Sequence, residues 1–305
     1  MTRSSAGMFQ DDATLPSRER LHHPGPEQSP RFTAVPVGAH RTLIRLRQGR
    51  SILAAISDEM NRLGVESGMF ILDGLRLVDC HFVIPAGPRD ERHAAWYSET
   101  YQARSPVFQH AVAVVGWKDG ERFVHCHAVW PNAPERGTDA GMGHVLNHET
   151  LVADDHEVEG YVVSGAKFDV AIDPETNFPL FHIVPHQIGA EQRVDAALVT
   201  IRPHEDMRST LERAAAQVGL TSARIIGLGS LIGARFSDGT SMQAALSEIL
   251  ILDGARIRDG RCVCLPIVCV DPARSVFHGD LLEAGGPICV TCEVLLIRDD
   301  GNSRI

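Results

Sequence analysis

Lysine is almost absent: Lys118 and Lys167 are the only two in 305 residues, and 29 cationic side chains stand against 39 acidic ones, a formal charge of −10. Binding to a phosphate backbone depends on clustered cations, so this balance argues against nucleic acid as a partner. The first 40 residues carry four arginines (Arg3, Arg18, Arg20, Arg31) against four acids (Asp11, Asp12, Glu19, Glu27), which excludes a basic DNA-gripping arm. Long apolar runs are missing too. None approaches the roughly 18 residues that span a bilayer, and the opening "MTRSSAGMFQDDATLPSRER" has no apolar signal-peptide core. The expectation is a cytoplasmic protein with no membrane partner.

The seven cysteines, an odd number, lack the regular spacing of a secreted disulfide scaffold and sit mostly in apolar runs, as reduced buried thiols do. Cys289-x-x-Cys292 with Cys262-x-Cys264 has the spelling of a zinc site. However, "ICVTCEVLLI" has no turn between its cysteines and reads as one strand.

What is present is a repeat. Residues 1–40, rich in Pro, Ser, Gly and charge, read as a flexible leader. The alternation of "RTLIRLRQG" then predicts a strand, and Ile52, Leu53, Ile56, Met60 and Leu63 follow at helical spacing up to Gly64. A shift of 155 lays "LVTIRPHEDMRSTLERAAAQVGLTSARIIGLGS" under "LIRLRQGRSILAAISDEMNRLGVESGMFILDGL" without a gap, Gly64 falling on Gly219. A shift of 140 lays "FVHCHAVWPN" over "VCLPIVCVDP", and one of 134 lays His144 on His278 and Glu159 on Glu293. The expected organisation is a domain at 41–186, a linker at 187–195, a second domain at 196–298 and a tail at 299–305. One main helix and many short strands with Asp-Gly turns in each half predict an α+β fold with a curved mixed or antiparallel sheet. The stretch at 87–106 is an insertion in the first half, expected to cover one edge of the domain.

Histidine is distributed unequally: ten of fifteen lie between residues 81 and 186. His125 and His127, two apart on a strand, leave the same face. At the shift of 140 they meet Leu265 and Ile267, which implies that the face is enclosed. Enclosed imidazoles need partners, and one metal ion satisfies several at once. Zinc favours imidazole nitrogen, with three protein ligands and an open fourth position at catalytic sites. His144, in the glycine-flanked "DAGMGHVLNH", is the preferred third ligand, with His148 and His156 competing. The expected cofactor is one Zn2+ per chain, in the first domain. Glu159 is a tentative catalytic residue, although its recurrence as Glu293 suits a structural role equally.

The opening "LIRLRQGRSILAAI…GVESGMFILDG", the His-x-His strand, the Gly-His of "MGHVL" and the strand "TCEVLLI" resemble the plants and prokaryotes conserved (PPC) domain, also described as AT-hook-associated. The resemblance covers nearly all of 41–298 as two copies, the second degenerate. It implies a curved antiparallel sheet, trimeric packing of domains in a homo-oligomer, and a zinc ion held by His125, His127 and His144. The fold group it points to includes acetolactate decarboxylase and a zinc-dependent ester hydrolase. The Arg-Gly-Arg-Pro AT-hook of plant members is missing here.

Two functions follow as expectations. One is a zinc-dependent enzyme acting on a small carbonyl or carboxylate substrate by lyase, decarboxylase or hydrolase chemistry, with Glu159 or Glu149 carrying the proton and an arginine such as Arg47 holding the substrate. The alternative is a non-catalytic PPC-type binding or regulatory protein, with DNA as a candidate partner.

Overall fold

Each helix is cut out of the chain by its own end signals. Ser51, in extended backbone, accepts the Ala54 N–H on its side chain, and Ile52, Ala55, Ile56 and Met60 of α1 (Ile52–Leu63) bury one face. Gly64 closes the helix at φ 66°, returning its N–H to Asn61 and Met60 carbonyls. Asp206 opens α2 (Met207–Gln217) by accepting the Ser209 N–H, and Gly219 follows its end at φ 71°. These are the only α-helices among the described residues, and neither is long and apolar enough to cross a membrane.

The computed structural model describes residues 21–131, 140–186 and 194–299. The rest of the first half is β1 (Phe32–Leu46), β2 (Ser67–Ile71), β3 (Asp79–Val83), β4 (Pro85–Ala86), β5 (Trp96–Tyr97) and β6 (Tyr101–Arg104). It continues with β7 (His110–Lys118), β8 (Glu121–Pro131), β9 (Ala140–Val145), β10 (His156–Ser164), β11 (Ala166–Ile172) and β12 (Pro179–Pro185). The second half holds β13 (Ala196–Ile201), β14 (Ala223–Leu231), β15 (Ala234–Arg235), β16 (Ser241–Met242) and β17 (Glu248–Ile251). Last come β18 (Arg256–Arg258), β19 (Arg261–Cys264), β20 (Pro266–Val270), β21 (Val276–Asp280) and β22 (Ile288–Arg298).

One strand order occurs twice. β1, β10, β2, β7, β8 and β9 are successive antiparallel neighbours in the first half. β13, β22, β14, β17, β20 and β21 repeat that order in the second. The fold is thus α+β with a mostly antiparallel sheet and two short helices. Strand β1 ties the halves together, since residues 32–37 pair with β13 and 38–46 with β10.

Alternation sorts the strands' side chains onto two faces. Outward-facing Val199, Ile225, Ile249, Ile267 and Val294 share a core with Met207 and Leu211 of α2. Their inward neighbours Leu198, Ile226, Leu228, Leu250, Val268 and Leu295 belong instead to the core that contains Val112, Val114 and Tyr161 of the first half. The sheets therefore pack face to face, with the helices on the outside. Arg224 donates to Tyr161 Oη across the contact at 3.1 Å.

Three boundaries differ from expectation or fall outside what is described. Residues 21–40, read as part of a flexible leader, are packed. Leu21 is buried against Ala94, Ala95, Leu246 and Cys289, His23 Nε2 donates to the Cys289 carbonyl at 2.7 Å, and Arg31 grips Glu175 at 2.7 and 3.0 Å. Gly25 is there because a Cβ would lie 1.8 Å from the Pro174 carbonyl oxygen. All these partners are far away in sequence, so a local reading of Pro and Gly content cannot see them. Most of the expected linker (187–193), most of the tail (300–305) and residues 1–20 lie outside the described residues.

Two predictions follow from these contacts. Gly64 and Gly219 sit in left-handed backbone, and a Cβ added at either would meet nothing within 4 Å, so the backbone conformation alone demands glycine there. Gly64→Ala and Gly219→Ala should therefore each destabilise by about 1 kcal/mol, additively, in urea unfolding. Burial lowers the His23 pKa from 6.5, so the folded chain holds this ring neutral. The unfolded chain then binds more protons than the folded one as pH falls through about 6.5, and stability present above that value is lost below it. His23→Gln should flatten the fall in urea midpoint between about pH 7 and 5, and an unchanged slope would clear His23 of the effect.

Candidate metal centre

Strand pairing assembles the three histidines. The β8–β9 ladder sets His127 directly opposite His144, and period two puts His125 on the same side, all inward toward the second half. Glycine lets β9 lie this close: a Cβ on Gly143 would meet Val83 O and the Phe82 ring at 2.7 Å, and one on Gly141 would strike Trp130. One nitrogen from each of His125, His127 and His144 lies within 4.8 Å of the others, a group able to hold a metal ion.

The rings are oriented from outside the group. His127 is fully buried, and its Nδ1 lies 2.8 Å from the Ile249 carbonyl. A carbonyl only accepts, so Nδ1 carries a proton, and Nε2 is turned toward His125 Nε2, 3.0 Å away. Tyr97 Oη stands 3.3 Å from His144 Nδ1. Two carboxylates of the second half complete the surroundings: Glu248 Oε2 lies 3.0 Å from His127 Nε2, and Glu293 Oε2 lies 3.3 Å from His125 Nδ1.

Electrostatics differ from ring to ring. Burial, reinforced by the two neighbouring imidazoles, holds His144 well below the ordinary histidine pKa. Burial also works against a charged His127, but Glu248 beside it lifts that ring above its ordinary value. Tyr97 is pushed well above its ordinary value by burial, with Glu248 and Glu293 adding to the rise. A cavity of about 170 Å³ adjoins the group, walled mainly by apolar side chains and reached by Tyr97, His125, His144, Glu248 and Glu293.

Other expected site residues lie elsewhere. Glu159 belongs to β10, where Arg41 donates to it at 2.6 Å, and it does not line the cavity. Its placement gives a catalytic role no support. His148 is exposed beside Glu149 at 3.1 Å, His156 Nε2 faces the Asp73 carbonyl at 3.3 Å, and Arg47 pairs with Asp155 at 3.0 Å. The insertion at 87–106 does reach the centre, through Tyr97.

The internal alignment also changes. Leu265 and Ile267 face the α2 core, not the inward face that His125 and His127 share. The gap-free shift of 140 is therefore wrong by one residue in face, and a slip of one flips every side chain of a strand. The histidines are enclosed for another reason, the second sheet lying on top of them. Similarly, Glu293 pairs with Thr200, which at the shift of 155 corresponds to Arg45, and Arg45 pairs with Glu157 rather than Glu159. His278, laid on His144 by sequence, is exposed. The sequence does not single out Glu248, and names Glu293 only as the counterpart of Glu159, although each is the one acid of an apolar strand ("EILI", "ICVTCEVLLIR"), a pattern that requires a partner.

No family model and no curated protein matches the chain. Among solved structures it is similar to a putative DNA-binding protein from Ralstonia eutropha JMP134 (18% identity, TM-score 0.34, 51% of this chain and 97% of that one). It is also similar to a metal-containing protein from Archaeoglobus fulgidus (17% identity, TM-score 0.38, 49% and 98%). A third is a plant- and prokaryote-conserved protein from Pyrococcus horikoshii (17% identity, TM-score 0.34, 52% and 100%). Of these three, the Pyrococcus structure is the one described as plant- and prokaryote-conserved (PPC). The likeness spans about half of this chain and nearly all of each of theirs. The expectation of a small-molecule substrate with nucleic acid argued away is corrected here, because the Ralstonia structure and one from Bacteroides thetaiotaomicron are both described as putative DNA-binding proteins.

The placement of Glu159 makes a direct prediction. Glu159→Gln should leave bound metal, measured by elemental analysis, as in the wild type, and a loss of metal would put Glu159 back at the centre.

Proposed function

We propose that the chain is a PPC-like binding and regulatory protein in which one zinc ion, held by His125, His127 and His144, fastens the first half to the second. The observation that carries the reading is the position of the three histidines inside the contact between two sheets, with His127 fully buried and acids of the other half against it. His127 is shut inside the sheet contact with a carboxylate of the second half against it, which suits an ion that joins the two halves, and the cavity beside His125 and His144 is walled mainly by apolar side chains.

The donor set fits the metal. Imidazole nitrogens suit zinc. With neutral imidazoles, the buried carboxylates Glu248 and Glu293 give the site a formal charge that a divalent ion offsets. When bound, the ion supplies positive charge among the imidazoles and beside the carboxylate of Glu248. His127 is kept in the tautomer that exposes Nε2 by its Nδ1–H bond to Ile249 O. Tyr97 Oη holds the His144 ring from its Nδ1 side, and the packed sheets exclude water from His127.

Duplex DNA is the first partner class to measure, and any such contact is local on a chain with 39 acids and 29 cations. Protein made without a histidine tag should carry about one zinc per chain by elemental analysis, and His125→Asn or His144→Gln should lose it. Wild-type protein that stays metal-free in excess zinc overturns the reading. DNA binding, followed by fluorescence anisotropy, should weaken steeply with salt, and no binding at low salt removes the DNA part.

A further inference from the structure

Four acids are buried among the described residues, and two of them face arginine. Glu175 is 3% exposed and paired with Arg31 at 2.7 Å, and Asp173 is 1% exposed and paired with Arg202 at 2.7 Å. Glu293 (1% exposed) and Glu248 (7%) depart from that pattern: among the described residues no arginine or lysine forms an ion pair with either. What each faces is an imidazole of the other half. Alternation puts them there, since Glu248 shares the inward face of β17 with Leu250, and Glu293 that of β22 with Leu295.

We propose that Glu248 is the fourth ligand of the metal centre and that Glu293 anchors His125, so that the second half, without histidines of its own at these positions, completes the site of the first. This rests on the zinc reading above. The Nδ1–H of His127 is already given to Ile249 O, so His125 Nε2 and Glu248 Oε2 both crowd its Nε2, each at 3.0 Å; the Glu248 carboxylate stands beside the three-histidine group and reaches a shared ion by turning toward it. A proton on His127 satisfies one of those approaches, whereas a cation satisfies all of them. The donors are imidazole nitrogens and one carboxylate oxygen, a set that takes a borderline divalent cation such as Zn2+, or Co2+ in its place.

Glu293 has a different task. Its Oε2 is buried with no hydrogen bond of acceptable direction, yet lies 3.3 Å from His125 Nδ1. With His125 Nε2 turned to the metal, Nδ1 carries the proton 3.3 Å from this oxygen, and a small turn of the ring would complete the carboxylate–histidine–metal arrangement that fixes a ring and strengthens it as a ligand. Thr291 donates to the other oxygen of Glu293 at 3.4 Å. The order of dependence follows. His144 is needed for binding at all, Glu248 for its strength and ligand field, and Glu293 for strength alone.

The test uses the full chain stripped of metal, titrated with zinc against a chromophoric chelator, together with Glu248→Gln, Glu293→Gln and His144→Gln. Each glutamine is nearly isosteric with the acid it replaces. Glu248→Gln and Glu293→Gln should each weaken zinc binding about 10–100-fold, while His144→Gln should abolish it. With Co2+ in place of zinc, the visible absorption bands should shift in Glu248→Gln and keep their positions in Glu293→Gln. Wild-type affinity in both glutamine variants, with unshifted cobalt bands and no binding in His144→Gln, overturns this inference and leaves the zinc reading standing. No zinc binding by the wild type overturns both. Hydrogen exchange on the unaltered chain needs no variant: zinc should slow exchange in β17 as well as in β8 and β9, and protection confined to β8 and β9 also overturns the inference.

Discussion

The contact between the inner faces of two sheets is the constraint on which the rest depends. Each half buries a helix on the outside of its sheet and leaves the other face apolar, and neither could keep that face in water. Pressing the two together buries Leu228, Leu250, Val268 and Leu295 in one core with Val112 and Val114. Strand β1 fixes the arrangement by pairing with both halves in succession. The same packing takes His127 out of water and brings Glu248 to it and Glu293 to His125. The site is a consequence of where the sheets meet, not a feature of either one alone.

The polar groups in that contact show how electrostatics and packing interact. Burying a charge is unfavourable by several kcal/mol unless it is compensated, and the fold meets this requirement in two ways. At the junction with residues 21–31 it uses arginine, Arg31 on Glu175 and Arg202 on Asp173. At the histidine group it sets acids against imidazoles, whose charge depends on what they hold. Tyr97, from a segment whose sequence suggests only an edge cover, closes the third side.

Much of the fold is legible in the sequence because its signals are local. Gly64 ends one helix and Gly219 the other. The repeat is visible because both strand–helix–strand units keep the same spacing. The histidines could be grouped because period two is a strong constraint on neighbouring strands. What was not legible depended on contacts distant in sequence. The order of residues 21–31 comes from Glu175 and Cys289, and the slip between β8 and β20 arises because an alignment without a gap does not know which face is inward. Glu248 and Glu293 carried a readable signal, a single acid in an apolar strand, but nothing local connected them with His125 and His127.

The central claim is that one metal ion sits where the halves meet. Anomalous X-ray diffraction from crystals grown with zinc, measured on both sides of the zinc edge, tests it most directly. The account predicts a single strong peak per chain at roughly 2.0–2.1 Å from one nitrogen each of His125, His127 and His144. A map with no peak there, or with zinc only on other residues, would contradict it.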